Sequence, residues 1–209
     1  NKNRGLIYTL NRGLSIAQCK YIARMDADDI CMSTRLEKQV AYLDSHPEVI
    51  ICGAQIEYFG TKSNKYVKLS FPTKDKILKE MLAFSTCFAH PTVMMRKDII
   101  VKNKLQYDYD YKNAEDYCMW INMISLGKFA NLDEALVKYR ISDAQVSQPY
   151  NLQTIKSVMA CRRKYLERYL SEDEIKDLFE SPIKVWTVKS IKQKISNPRV
   201  IEACYLSLE

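Results

Sequence analysis

An apolar run that ends in three carboxylates is the first place in this chain where chemistry could gather: Tyr21-Ile22-Ala23-Arg24-Met25-Asp26-Ala27-Asp28-Asp29-Ile30. The run has the composition of a strand, and in open α/β sheets ligands collect beyond the carboxyl ends of strands. Asp26 and Asp28 stand two residues apart, so an extended backbone would point them to the same side. Two hard oxygen donors on one side suit Mg2+ or Mn2+, which keep several waters and take further ligands from a diphosphate. A local alternative exists, in which Asp28 or Asp29 caps a helix expected to begin near Ser33. A cap needs only one of the three acids, whereas a cation would relieve the repulsion among all of them.

The second cluster is Asn113-Ala114-Glu115-Asp116-Tyr117, which opens a segment with Tyr117, Trp120, Ile121 and Ile124 on one side. At about 100° per residue, Asp116 falls at the edge of that apolar face and Glu115 well away from it. Asp116 is therefore expected to look into a pocket lined by Trp120, and Glu115 to be solvated. Both acids could also simply complement a helix N-terminus. That terminus lowers a carboxyl pKa, whereas burial against Trp120 would raise it towards the range useful to a general base.

The elements that must hold these residues alternate. Short β-rich runs over 21–25, 49–52, 92–95 and 135–139 are interleaved with helix-period segments over 35–43, 74–84 and 116–126. Such alternation predicts an α/β layered domain over residues 1–148, followed by a helical region over 149–209. The boundary falls at Pro149, within the polar stretch 142–151; all five glycines precede residue 128. Beyond the boundary, helices are expected over 152–170 and 172–179, the second opened by a Ser171/Glu174 capping box, then two segments opened by Pro182 and Pro198.

Composition narrows the class. The 209 residues carry a net charge of +7, with 47% hydrophobic and 27% charged residues, which excludes disordered, collagen-like and coiled-coil chains. No stretch approaches the roughly 18 consecutive apolar residues of a membrane span. Seven scattered cysteines without a C-x-x-C pair, and only His46 and His90 beside them, argue against a zinc knuckle or a disulfide framework. Reduced, mostly buried thiols and a cytoplasmic location are the expectation. The chain begins at Asn1 without an initiator Met or a signal segment, so a natural N-terminus further upstream is expected.

Taken in order, Asp26-Ala27-Asp28-Asp29, Ala114-Glu115-Asp116-Tyr117 and Tyr139-Arg140 resemble the motifs of family 2 glycosyltransferases of the GT-A fold. The resemblance is strongest to bacterial enzymes of O-antigen, capsule and exopolysaccharide synthesis. Leu10-Asn11-Arg12-Gly13-Leu14, Ala17 and Tyr21-Ile22-Ala23 resemble the helix and strand that lead into the family's D-x-D motif. His90-Pro91-Thr92-Val93-Met94-Met95-Arg96 is similar to a further segment of such enzymes, and the match covers roughly 1–147. The fold implied is a Rossmann-like, nucleotide-diphospho-sugar transferase mixed sheet that lacks its first strands, with a C-terminal helical appendage.

By that resemblance, Asp26 helps to hold the nucleotide, while Asp28, with Asp29 and Asp26, holds the Mn2+ or Mg2+ that bridges the donor diphosphate. Asp116 would deprotonate the acceptor hydroxyl, with inversion at the anomeric carbon. Arg140 would approach a phosphate or serve as an ion-pair partner, and His90, Glu115 and Trp120 are the candidates for the acceptor side, with a core position the alternative for Trp120 and a turn or core position that for His90. The donor implied is a nucleotide sugar, most simply a UDP-sugar, and the acceptor a glycan or polyprenyl-diphosphate-linked sugar. Relatives often place a histidine, able to contact the metal, where this chain has Ser142, and a helix-ending glycine where it has Cys19.

Five basic and no acidic residues over 181–200, interleaved with Val185, Trp186, Val188, Ile191 and Ile195, could lie on an anionic membrane through 183–199 or pack on the domain. A charge of +7 without a basic-aromatic recognition motif argues against nucleic-acid binding. Two other functions fit the same residues: a non-catalytic glycan-assembly or membrane-docking module, and a nucleotidyltransferase. The latter normally needs a glycine-rich phosphate loop, which the chain does not show.

Overall fold

The computed structural model describes residues 2–60, 70–141 and 152–179. In chain order the elements are α1 (Leu6–Ile16), β1 (Tyr21–Ala23), β2 (Ile30–Cys31), α2 (Arg35–Ser45), β3 (Val49–Phe59) and α3 (Asp75–Met81). A 3-10 turn (His90–Thr92) then leads into β4 (Met94–Arg96), α4 (Lys97–Lys102), α5 (Glu115–Met123), β5 (Lys128–Arg140), α6 (Leu152–Leu166) and α7 (Glu172–Phe179). The boundary at Pro149 and the basic segment 183–199 lie outside the described residues, as do the two segments opened by Pro182 and Pro198. Among the described residues no helix is long and apolar enough to cross a membrane.

The strands form one mixed sheet in the order β1-β4-β3-β5-β2. β3 and β5 are parallel, β4 is antiparallel to both β3 and β1, and β2 is antiparallel to β5. β1, β3 and β5 therefore end on the same side, and the chain after β1 carries the acidic residues there. Phe88, Trp120 and Phe129 join the sheet to α5, and Cys161, Tyr165 and Leu166 of α6 close the same apolar cluster. Asp116 and Asn122 apart, the α5 side chains are buried.

α2 turns polar residues inward. Arg35 and Gln39 are fully buried, and Arg35 Nε donates to Gln39 Oε1 at 3.0 Å. Arg35 Nη2 donates to the Arg24 carbonyl at 2.7 Å, and Gln39 Nε2 to the Thr92 and Cys52 carbonyls at 2.8 and 3.0 Å. Buried polar groups persist only when partnered, and here the partners are the backbones of the two segments that flank the site. The helix thus fixes the exit of β1 against the entry of β4.

The expected Ser171 capping box is present: Glu174 Oε2 accepts from Ser171 N at 2.7 Å, and Ser171 Oγ accepts from Glu174 N at 3.4 Å. Of the six cysteines among the described residues, all are free; Cys52, Cys87, Cys118 and Cys161 are buried, Cys19 and Cys31 exposed.

Candidate active site

β1 stops at Ala23, and the chain turns at residues 27 and 28, where Asp29 N donates to the Asp26 carbonyl at 3.4 Å. Asp26 and Asp28 therefore do not alternate along one extended segment, as their spacing alone suggested. Arg24 takes both Asp26 oxygens, Nη1 donating to Oδ2 at 2.7 Å and Nη2 standing 2.5 Å from Oδ1. Asp26, expected to help hold the nucleotide and the cation, is thus engaged by Arg24 in this structure. Nor does Asp28 or Asp29 cap α2, which starts after Thr34 without a side-chain cap.

Asp29 faces β5 instead. Its Oδ1 accepts from Arg140 N at 2.9 Å, while Oδ2 is buried with no hydrogen-bond partner. Arg140 also donates from Nε to the Asp28 carbonyl at 2.8 Å and lies over the Phe59 ring. Burial pushes the Asp29 carboxyl pKa up; the Arg140 amide opposes this, and the charges of Asp26 and Asp28 add to it. The Asp28 side chain is exposed.

An orphaned buried carboxylate oxygen beside an exposed carboxylate fits a divalent cation that takes its other ligands from a diphosphate and water. Among the described residues no three His, Cys, Asp or Glu side chains converge into a closed cage, so the fit is to an open site only.

Asp116 stands in the first turn of α5, partly buried, with the Thr86 hydroxyl donating to its Oδ2 at 3.4 Å. Its pKa is raised to about 6, first by burial and then by the charge of Glu115, against the Tyr117 amide and Arg24. Burial thus outweighs the helix terminus. Glu115, expected in solvent, is buried at 6% exposure. A helical wheel assumes one buried face, whereas α5 is covered by the sheet on one side and by α6 on the other.

Trp120 is fully buried behind Phe88 and His90, at ring distances of 5.5 and 5.8 Å, so its ring offers no platform to a sugar. Of the two readings of Trp120, the core position is the one the structure has, and the acceptor-side position is corrected. His90 is partly buried at the start of the 3-10 turn, with Nε2 3.0 Å from the Tyr107 hydroxyl. Burial, with the nearby Arg24 charge, holds its pKa well below the ordinary value, so the imidazole is neutral.

Arg24 is the residue that spacing arguments passed over. Its guanidinium pairs with Asp26, and its charge adds smaller contributions to the shifts at Asp29, His90, Tyr107 and Asp116. Its i, i+2 relation to Asp26 was the available signal. Tyr107, pinned by Asn11 through bonds of 2.7 and 2.8 Å, and Thr86 carried no signal in the sequence.

The chain thus has a mixed α/β sheet with an acidic turn beyond a strand end and a carboxyl of raised pKa at the start of a helix. The structure is similar to that of S. aureus TarS in complex with UDP-GlcNAc, with a TM-score of 0.59 and 14% identity over 94% of this chain and 66% of that one. This likeness bears out the expected GT-A fold. The description "Glycosyl transferase family 2" matches residues 1–103. The O-antigen biosynthesis glycosyltransferase WbnJ of Escherichia coli is 35% identical over 188 residues, 83% of this chain and 69% of that protein. The amylovoran biosynthesis glycosyltransferase AmsE of Erwinia amylovora is 35% identical over 157 residues, 75% and 58% of the two chains. The chain belongs to glycosyl transferase family 2. It spans a little over half the length of several of the curated relatives it matches.

Proposed function

We propose that this chain is the catalytic part of an inverting, metal-dependent glycosyltransferase of bacterial surface-polysaccharide synthesis. It moves a hexose from a UDP-sugar to a glycan or a polyprenyl-diphosphate-linked acceptor. What supports this is the acidic turn beyond β1, where Asp29 Oδ2 is buried without a hydrogen-bond partner, together with Asp116 at the start of α5, its pKa raised to about 6. Two relatives are named for O-antigen and amylovoran synthesis, and a structure of the same fold holds UDP-GlcNAc.

Asp28 and Asp29 Oδ2 would hold Mn2+ or Mg2+, whose charge, when bound, offsets that of the departing nucleoside diphosphate. Arg140, anchored on the turn through Asp29 and the Asp28 carbonyl, would contact a phosphate oxygen of the donor. Asp116 accepts the proton of the acceptor hydroxyl, and that oxygen then attacks the anomeric carbon from the face opposite the leaving group. His90 stays neutral and orders Tyr107 rather than carrying charge.

The ionisation of Asp116 sets the pH dependence. A base must be unprotonated, so kcat is expected to fall tenfold per pH unit below about 6 and to level off above it. Product analysis tests the chemistry. NMR of the disaccharide from an α-linked UDP-sugar should show a β linkage, and an α linkage would rule out direct displacement.

A further inference from the structure

The segment α6 lies beyond the family match, which ends at residue 103, yet it bonds to both flanks of Asp116. Ser157 Oγ donates to the Lys112 carbonyl at 2.7 Å, Asn113 Nδ2 donates to Thr154 Oγ1 at 3.1 Å, and Cys161 Sγ lies 3.7 Å from the Ala114 carbonyl. These three contacts hold the backbone immediately before α5. One helical step further, Arg162 directs its guanidinium to the other flank, with Nε and Nη2 donating to the Phe84 carbonyl at 3.1 and 2.8 Å. Tyr117 of α5 adds a third bond to the same loop, donating to the Leu82 carbonyl at 2.6 Å. Thr86, two residues past Phe84, is the residue that donates to Asp116.

We propose that Arg162 is a positioning residue for the Asp116 site, and that α6 is part of the catalytic apparatus rather than an appendage. Two donors from one rigid, planar group converge on a single carbonyl, which fixes the loop in orientation as well as in place. Thr86 is thereby kept on Asp116, and the acceptor side of the pocket keeps its shape. Arg162 touches neither substrate nor the reacting atoms; it acts through Phe84 and Thr86. This inference rests on the transferase reading above for its effect on turnover, but not for its effect on the loop.

The test uses the full-length protein and its Arg162→Met and Arg162→Lys variants. Arg162→Met keeps the stem and loses the donors. Its kcat is expected to fall about 10- to 100-fold, the usual result of misplacing a reacting group by an ångström, with UDP affinity unchanged. The acid limb should move to higher pH, because the charged form of Asp116 loses a hydroxyl donor. Arg162→Lys should recover part of kcat, since an ammonium can still donate to Phe84. Hydrogen exchange of amides 83–88 should quicken in Arg162→Met. Wild-type kcat, acid limb and exchange in that variant would overturn the inference. So would a parallel loss of UDP affinity and kcat with the acid limb unmoved, which is the mark of general destabilisation. Should the wild-type protein transfer no sugar, the transferase reading fails on its own, and exchange decides the clamp: quickened amides support it and unchanged amides overturn it.

Discussion

Replacing Asp116 by Asn is expected to lower kcat by roughly 10²- to 10⁴-fold while leaving UDP binding as it was, because only the proton acceptor is lost. The amide is the same size as the carboxyl and can still accept from Thr86, so the pocket should hold its form. Stability should move the other way. The Asp116 carboxyl has its pKa raised from 3.8 to about 6 in the fold, so its charged form is disfavoured there. The resulting destabilisation is full above pH 6 and fades as pH falls towards 3.8. Asp116→Asn should therefore raise Tm at pH 8 and do little at pH 4. A group that is costly to the fold at working pH fits a site kept for chemistry. Full turnover in the variant, or loss of UDP binding, would remove Asp116 from the role of base.

Asp28→Asn should weaken Mn2+-dependent UDP binding by roughly 10- to 100-fold, a range typical for disturbing a metal's protein partners. Binding of UDP without metal should be unaltered. The prediction is sharp for Asp28 because its side chain is exposed and supports nothing else, whereas Asp29 also holds the Arg140 amide. Asp26→Asn makes the contrast: it frees Arg24 and should disturb the site through that guanidinium rather than through the cation. Calorimetric titrations of UDP with and without Mn2+ separate these cases. Equal metal-dependent affinity in wild type and Asp28→Asn would move the cation elsewhere.

Local signals in the sequence were reliable where one interaction decides the outcome. The capping box at Ser171 and the starts of β1 and β3 belong to this kind. Length was not legible where a polar residue finds a partner far along the chain. β3 was expected over 49–52, yet it continues to Phe59. Gln55 is buried there because its amide makes both bonds, at 2.8 Å, to the backbone of Phe71. β5 likewise begins at Lys128, seven residues before the expected start, with Asn131 buried and donating to the Pro72 and Cys87 carbonyls.

The site was legible in its acids and not in its cation. Asp28, Asp29 and Asp116 could be singled out because three adjacent acids exceed what one helix cap needs and because Asp116 falls at the edge of an apolar helix face. Arg24 was passed over despite its i, i+2 relation to Asp26, since an arginine just past a strand ordinarily reaches solvent. Its burial depends on Asp26, the Val93 carbonyl bonded to Arg24 N at 3.0 Å, and the inward-facing Arg35 below it. Glu115 was misplaced because a helical wheel assumes one buried face, whereas α5 packs against both the sheet and α6.

Acceptor-dependent release of UDP tests the central claim most directly. The full-length protein is mixed with a panel of UDP-hexoses, Mn2+ and a lipid-diphosphate-linked N-acetylhexosamine, and UDP is followed in time. The account predicts release with at least one donor, dependent on both acceptor and metal and abolished by chelation. No acceptor-dependent release from any donor would contradict it, and release of pyrophosphate from a nucleoside triphosphate and a sugar phosphate would assign the site to nucleotidyl transfer instead.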